Sequence, residues 1–176
     1  MADAFRQNRV MRLRLWGQMQ PLVVALAALV FAADQAHKWW MLKVFGIEAR
    51  APVPVTPFFD LVMVWNRGVS YGLFATHTQA LLIGLSIIVT VALWLWSCRM
   101  DHALGAAALA LVIGGALANA LDRALYGAVA DFFHFHVGDF SWYVFNIADV
   151  AIVAGVGLLL YESAIGRGAG NRRGNA

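Results

Sequence analysis

Gly114-Gly115-Ala116-Leu117-Ala118-Asn119-Ala120-Leu121-Asp122-Arg123, then Ala130-Asp131-Phe132-Phe133, then Phe145-Asn146-Ile147-Ala148-Asp149: on this stretch the reading of the chain turns. Three carboxylates, two carboxamides and an arginine stand beside or inside segments otherwise apolar enough for lipid. An ionisable group at membrane depth costs roughly 2.5–3.5 kcal/mol on insertion scales, so each is a functional candidate. The rest of the chain reads as a frame that brings two of these carboxylates together.

Of the 176 residues, 61% are hydrophobic and 13% charged, and the mean hydropathy is +0.68. Soluble domains carry about a quarter charged residues. The composition is that of a multi-pass membrane protein and the length that of one domain, so an all-α membrane fold is expected. The net charge of +3 does not point to nucleic acid. Its basic residues collect in the tails and at segment ends, where orientation signals belong. Cys98 is the single cysteine, which excludes an intrachain disulfide. At the end of an apolar segment beside Arg99, it reads as structural.

Working outward, the N-terminal tail (1–20) is polar and carries Arg6, Arg9, Arg12 and Arg14. The transmembrane domain covers 21–163, with spans expected at about 21–40, 79–98, 103–122 and 144–162, each close to bilayer length. A cleavable signal peptide ending near Ala32-Ala33 is the alternative for the first run. Against it, the helical pattern continues: Asp34 and Lys38 follow at i, i+4, able to pair, and Trp39 and Trp40 mark an interface. The tail at 164–176 is rich in Gly and Arg and is expected to be disordered.

Two longer connections separate the spans. In the first, Pro52, Pro54 and Pro57 favour extended chain. Asp60 to Trp65 reads as a strand, Asn66-Arg67-Gly68 as a turn, and Val69 to Phe74 returns apolar. In the second, a hairpin turning at Gly138 is expected. Small β elements in both loops therefore join the helical fold.

The Arg-rich N-terminal tail, Arg99 and the C-terminal Arg167, Arg172 and Arg173 lie on one side of a four-span chain. The positive-inside rule makes that side the cytoplasm and places both long loops on the outer face. Asp34 and Lys38 end span one, Asn119, Asp122 and Arg123 end span three, and Asn146 and Asp149 begin span four. These groups share one depth, with Asp131 in the loop above and Asn66 within reach from the other loop.

Two carboxylates in one site cannot both ionise cheaply, so one keeps a proton. The ionised partner activates water while the protonated one donates to a carbonyl, the logic of aspartic proteases. Asp34 has Lys38, and Asp122 has Arg123, as a basic neighbour, which favours a structural reading for both. Asp131 and Asp149 have none and form the better dyad. Asn119 and Asn146 are either helix-packing glue or orienting groups. Arg123 either anchors a substrate or lipid oxygen or snorkels. His134-x-His136 shares a strand face, but the sequence offers no third ligand at metal-binding spacing, so no metal is expected. A proton-coupled transporter with Asp122, Asp131 and Asp149 as a relay is the alternative to an enzyme. A structural assembly factor held together by buried polar groups is a further class.

These patches resemble the bacterial lipoprotein signal peptidases (signal peptidase II). The resemblance rests on Asp34-Gln35-x-x-Lys38, Asn66-x-Gly68-x-Ser70-Tyr71-Gly72-x-Phe74, Gly114-Gly115-x-x-x-Asn119-x-x-Asp122-Arg123, Ala130-Asp131-Phe132 and Phe145-Asn146-x-Ala148-Asp149, in that order. It implies an aspartic endopeptidase of the inner membrane with Asp131 and Asp149 as the catalytic pair. It further implies that Asn66, Gly68, Gly115, Asn119, Asp122, Arg123, Asn146 and Ala148 shape the substrate pocket, with Asp34 and Lys38 in support. The implied substrates are diacylglyceryl-modified prolipoproteins cut just before the lipidated cysteine, in contact with membrane lipid. No cofactor or metal is implied, and globomycin-type cyclic peptides are the implied inhibitors. His37 and Tyr71 depart from the family pattern, where a small hydroxyl residue and a phenylalanine are frequent.

Overall fold

The computed structural model describes residues 15–68 and 78–173. The four N-terminal arginines and the Ser70–Phe74 part of the second patch lie outside the described residues.

Four helices carry the chain: α1 (Gln20–Trp39), α2 (Thr78–Ser97), α3 (Ala103–Tyr126) and α4 (Ile147–Arg173). Each contains a stretch long and apolar enough to cross a membrane, and the protein is a multi-pass membrane protein. Pro21 stands in the first turn of α1, where its missing N–H costs nothing. The helix does not stop at Ala33, and a π-helical turn (Trp40–Phe45) extends it to a left-handed Gly46. His102 caps α3, its Nδ1 accepting from the Gly105 N–H at 3.2 Å.

Lipid offers no hydrophobic drive for helices to associate, so close packing of small residues does that work. The Ala- and Gly-rich α3 is accordingly the central helix, packed by α1, α2 and α4. Val23 and Ala27 of α1 interlock with Ala106, Ala110 and Ile113 of α3. At Gly114 an added Cβ would lie 2.6 Å from the Ala27 carbonyl oxygen, and at Gly115 2.5 Å from that of Ala148. Glycine here sets how near α1 and α4 come to α3. At the opposite end, Gln20 Nε2 donates to Ser97 Oγ and Cys98 Sγ, both at 3.1 Å, which ties α1 to the end of α2 and gives Cys98 a packing role.

Above one end of the bundle lies an antiparallel sheet of β1 (Val53–Thr56), β2 (Phe59–Asn66), β3 (Val129–Val137) and β4 (Phe140–Ser141), in that order. Each long connection supplies strands, and the β3–β4 turn uses the positive φ of Gly138. The two loops do not form separate β elements. They join through β2 and β3, which pair Val64 with Asp131 and Asn66 with Val129. Ala130 and Phe132 pack this sheet onto Met41 and Ile47.

Two boundaries differ from the sequence expectation. α3 runs to Tyr126 rather than 122, because no breaker precedes Gly127, whose positive φ ends the helix. Asp122 and Arg123 are thus helical residues. α4 runs on to Arg173 where a disordered tail was expected beyond 163. No proline interrupts 147–173, and extending an anchored helix is far easier than starting one.

Candidate active site

The site lies where the ends of α1 and α3, the start of α4 and the β2–β3 pair meet. Asp131 is 1% exposed. Its two oxygens accept from amides on different elements: Asn66 Nδ2 at 3.0 Å and Asn146 Nδ2 at 2.6 Å. The Asn66 side chain is itself set by a turn, its Oδ1 accepting from the Gly68 N–H at 2.8 Å. Gly68 has φ 85°, which a side chain would strain, and an added Cβ would meet Leu82 at 2.7 Å.

Asn146 immediately precedes α4 and caps it. Its Oδ1 accepts from the Asp149 N–H at 3.0 Å, while Asp149 Oδ2 accepts from the Asn146 N–H at 3.2 Å. This reciprocal pair is a capping box, with an aspartate in the usual glutamate position. It fixes Asp149 in the first turn of α4, where the helix dipole favours negative charge. The other Asp149 oxygen accepts from Asn119 Nδ2 at 2.8 Å. Asn119 Oδ1 in turn accepts from the Asn146 amide at 3.1 Å. The two carboxylates are therefore joined through two carboxamides.

Beneath this pair is a buried ion triad. Lys38 Nζ lies 2.7 Å from both Asp34 and Asp122, and all three residues are almost fully buried. Lys38 also donates to Asn119 Oδ1 at 3.3 Å, linking triad to dyad. Each aspartate reaches onward to backbone: Asp34 accepts from the Ala148 N–H at 3.0 Å and Asp122 from the Ala130 N–H at 3.2 Å. Lys38 thus pins the start of α4 and the start of β3 through two carboxylates. Asp122 pairs with Lys38 and not with its sequence neighbour Arg123, because adjacent helical residues point to different faces.

Arg123 is half-buried, its Nη1 donating to the Asn119 carbonyl at 3.2 Å. Its Nε has no hydrogen-bond partner among the described residues. Gln35, known from the sequence only as part of the Asp34-Gln35-x-x-Lys38 patch, donates through Nε2 to Asp122 at 2.9 Å and to Asp34 and the Ala118 carbonyl, each at 3.3 Å. Its i, i+3 spacing to Lys38 was the available signal. His37 packs edge-on against Phe132 under the sheet.

Burial is the main cause that pushes the Asp131 carboxyl up from 3.8 to about 6. The Asn66 and Asn146 amides offset part of that rise, and the Asp149 charge adds to it. One carboxyl of raised proton affinity next to one in a helix's first turn suits paired acid–base chemistry.

Two solved bacterial membrane enzyme structures, both obtained by the in meso method, share this fold. One, at 2.3 Å resolution, has a TM-score of 0.69 at 26% identity, covering 82% of this chain and 88% of that one. The other, at 1.9 Å, has a TM-score of 0.70 at 26% identity, covering 81% and 92%. Fold and site together define a multi-pass membrane enzyme. The family model described as signal peptidase (SPase) II matches residues 26–165. A lipoprotein signal peptidase of Methylocella silvestris is 54% identical over 158 residues, 86% of this chain and 92% of that protein. One from Methylobacterium sp. (strain 4-46) is 49% identical over 150 residues, covering 82% and 91%. The chain belongs to the signal peptidase II family of peptidases.

Proposed function

We propose that the chain is an aspartic endopeptidase that removes the signal peptide from diacylglyceryl-modified prolipoproteins, cutting just before the lipidated cysteine. The observation that carries this reading is the Asp131–Asn146–Asn119–Asp149 chain of hydrogen bonds, which holds two carboxyl groups in one polar network. Asp131 is the protonated member and Asp149 the ionised one. Asp149 takes a proton from water as its oxygen attacks the scissile carbonyl carbon, and Asp131 gives its proton to the carbonyl oxygen. Collapse of the tetrahedral intermediate breaks the C–N bond and returns a proton to the leaving cysteine amine. The products are a signal peptide ending in a carboxylate and a lipoprotein beginning with its cysteine.

In this reading Arg123 and Asn66 orient the substrate strand, and Gly68 keeps the entry beside them open. Gly115 and Ala148 keep α4 close to α3. Asp34, Lys38 and Asp122 brace the site. The enzyme sits in the bacterial inner membrane with both termini cytoplasmic and the sheet on the outer face, as the distribution of arginine implies. Globomycin-type peptides compete for the same pocket, and membrane lipid lines it. The site itself uses no cofactor, metal or nucleic acid. The relay reading is less well supported: buried ionisable groups gather at the sheet end, and the buried polar pair Gln20 and Ser97 stands far from them.

The test is cleavage of a purified diacylglyceryl-modified prolipoprotein in detergent by wild type, Asp131→Asn and Asp149→Asn, followed by gel shift. Wild type cleaves, and both variants stay folded but lose at least a thousandfold in rate. Wild-type cleavage by both variants would place the chemistry elsewhere.

A further inference from the structure

The sheet carries a second cluster, outside the peptidase network. Asp60 on β2 stands directly across from His134 on β3, and His136 follows on the same face of β3. Each offers one ligand atom, and all three atoms lie within 4.8 Å of one another. The sequence showed two histidines and no third ligand. Pairing of the two loops supplies it, from a strand remote in the chain.

Two further observations bear on what this cluster holds. His136 Nε2 is sealed from solvent and lies 3.0 Å from Asp60 Oδ2, yet the approach lacks hydrogen-bond direction and the nitrogen has no other partner among the described residues. This sealed ring nitrogen is thus left without a satisfied hydrogen bond. The His134 ring is held by its Nε2, 2.7 Å from Ser141 Oγ on β4, and lies stacked against His136 at 5.3 Å. The strands beneath are fixed by the Asp60–His134 register and by Phe59 on Phe135 across the opposite face, at 4.8 Å.

We infer that Asp60, His134 and His136 form a site for a divalent transition-metal ion of the Zn2+ type. Two imidazoles and one carboxylate are a donor set that such ions favour. Zinc bonds of about 2.0–2.2 Å require ligand atoms somewhat closer together than 4.8 Å. Small side-chain rotations close that gap, since all three side chains are only partly buried. Water completes the coordination on the open side. The ion clamps β2 to β3, the pair that also sets Asn66 against Asp131, and so stiffens the sheet without entering the reaction.

Untagged full-length protein in detergent, stripped of metal, is titrated with Zn2+ by calorimetry and with Co2+ by visible absorption. The expected result is one Zn2+ per chain, visible Co2+ bands and a rise in melting temperature with Zn2+. Asp60→Asn and His136→Ala each weaken binding at least tenfold, and His134→Gln serves if either fails to fold without metal. No stoichiometric uptake by wild type overturns the site and leaves only the Asp60–His136 contact. Undiminished uptake by a folded His134→Ala/His136→Ala double variant also overturns it, since the ion then binds elsewhere.

Discussion

Asn146 and Asp149 bind each other twice, each side chain accepting from the other's backbone N–H, at 3.0 and 3.2 Å. A helix cap and a proposed catalytic carboxylate are thus the same local structure. The Asn146 amide group remains free to reach Asp131, so one residue starts α4 and joins the two acids.

These two roles separate by substitution. Asn146→Ala loses both, costing about 1 kcal/mol of cap stability and up to about a hundredfold in kcat from misplacement of the carboxyl groups it orients. Asn146→Ser restores a cap oxygen but not the amide. The expected outcome is recovery of the melting temperature with kcat still low. Joint recovery of both would mean that the amide contact with Asp131 is idle.

The raised proton affinity of Asp131 gives a pH signature. Its folded value of about 6 exceeds the ordinary 3.8, so the folded protein holds this proton more tightly than the unfolded chain. That stabilisation is fully present below pH 3.8 and is lost as pH rises through 6. The melting temperature of wild type, relative to Asp131→Asn, should fall between those limits and level off above them. In the proposed mechanism, kcat/KM of wild type declines along a basic limb with its midpoint near pH 6. A flat profile from pH 5 to 8 would remove Asp131 as the proton donor.

Among the described residues, Lys38 is the cation paired with both Asp34 and Asp122, 2.7 Å from each. Lys38→Met leaves two buried carboxylates unpaired, a loss of about 3–5 kcal/mol. Adding Asp34→Asn and Asp122→Asn to Lys38→Met should recover much of the melting temperature, because neutral amides carry a smaller burial cost. If the triple variant melts no higher than Lys38→Met, the triad is not held by charge.

Two glycines provide a matched pair. Gly115→Ala places a methyl 2.5 Å from the Ala148 carbonyl oxygen and drives α4 from α3, at about 1–3 kcal/mol. Because Ala148 is next to Asp149, cleavage falls as well. Gly84→Ala on α2 meets nothing within 4 Å and gains up to about 1 kcal/mol of helix propensity. Thermal melting and cleavage assays of both variants check the contrast.

The spans were legible because apolar runs of bilayer length have few other readings. Elimination pointed to Asp131 and Asp149 as a candidate pair, acids without an adjacent basic residue, and the structure joins these two through Asn146 and Asn119. Elimination misjudged Asp122, whose partner is Lys38 on another helix. Adjacency along the chain had suggested Arg123, although consecutive helical residues diverge. Asn146-x-x-Asp149 carried a capping pattern in plain view, but with the span begun at 144 both residues fell inside the helix, and their capping role was missed. The β2–β3 pairing was not legible. Each loop shows strand character alone, and nothing local specifies that Val64 will meet Asp131. That pairing supplies Asn66 to one site and Asp60 to the other.

The shared β2–β3 sheet also sets a timetable for biosynthesis. Asn66 is made early, but its partner Asp131 follows only after α2 and α3, and Asp149 comes with the last helix. In the proposed mechanism, a ribosome-bound chain holding the first three spans therefore lacks both acids of the dyad. On that mechanism, competence arrives late, once α4 has docked beside Gly115. Unfinished copies of the chain would then cleave nothing while they wait in the membrane.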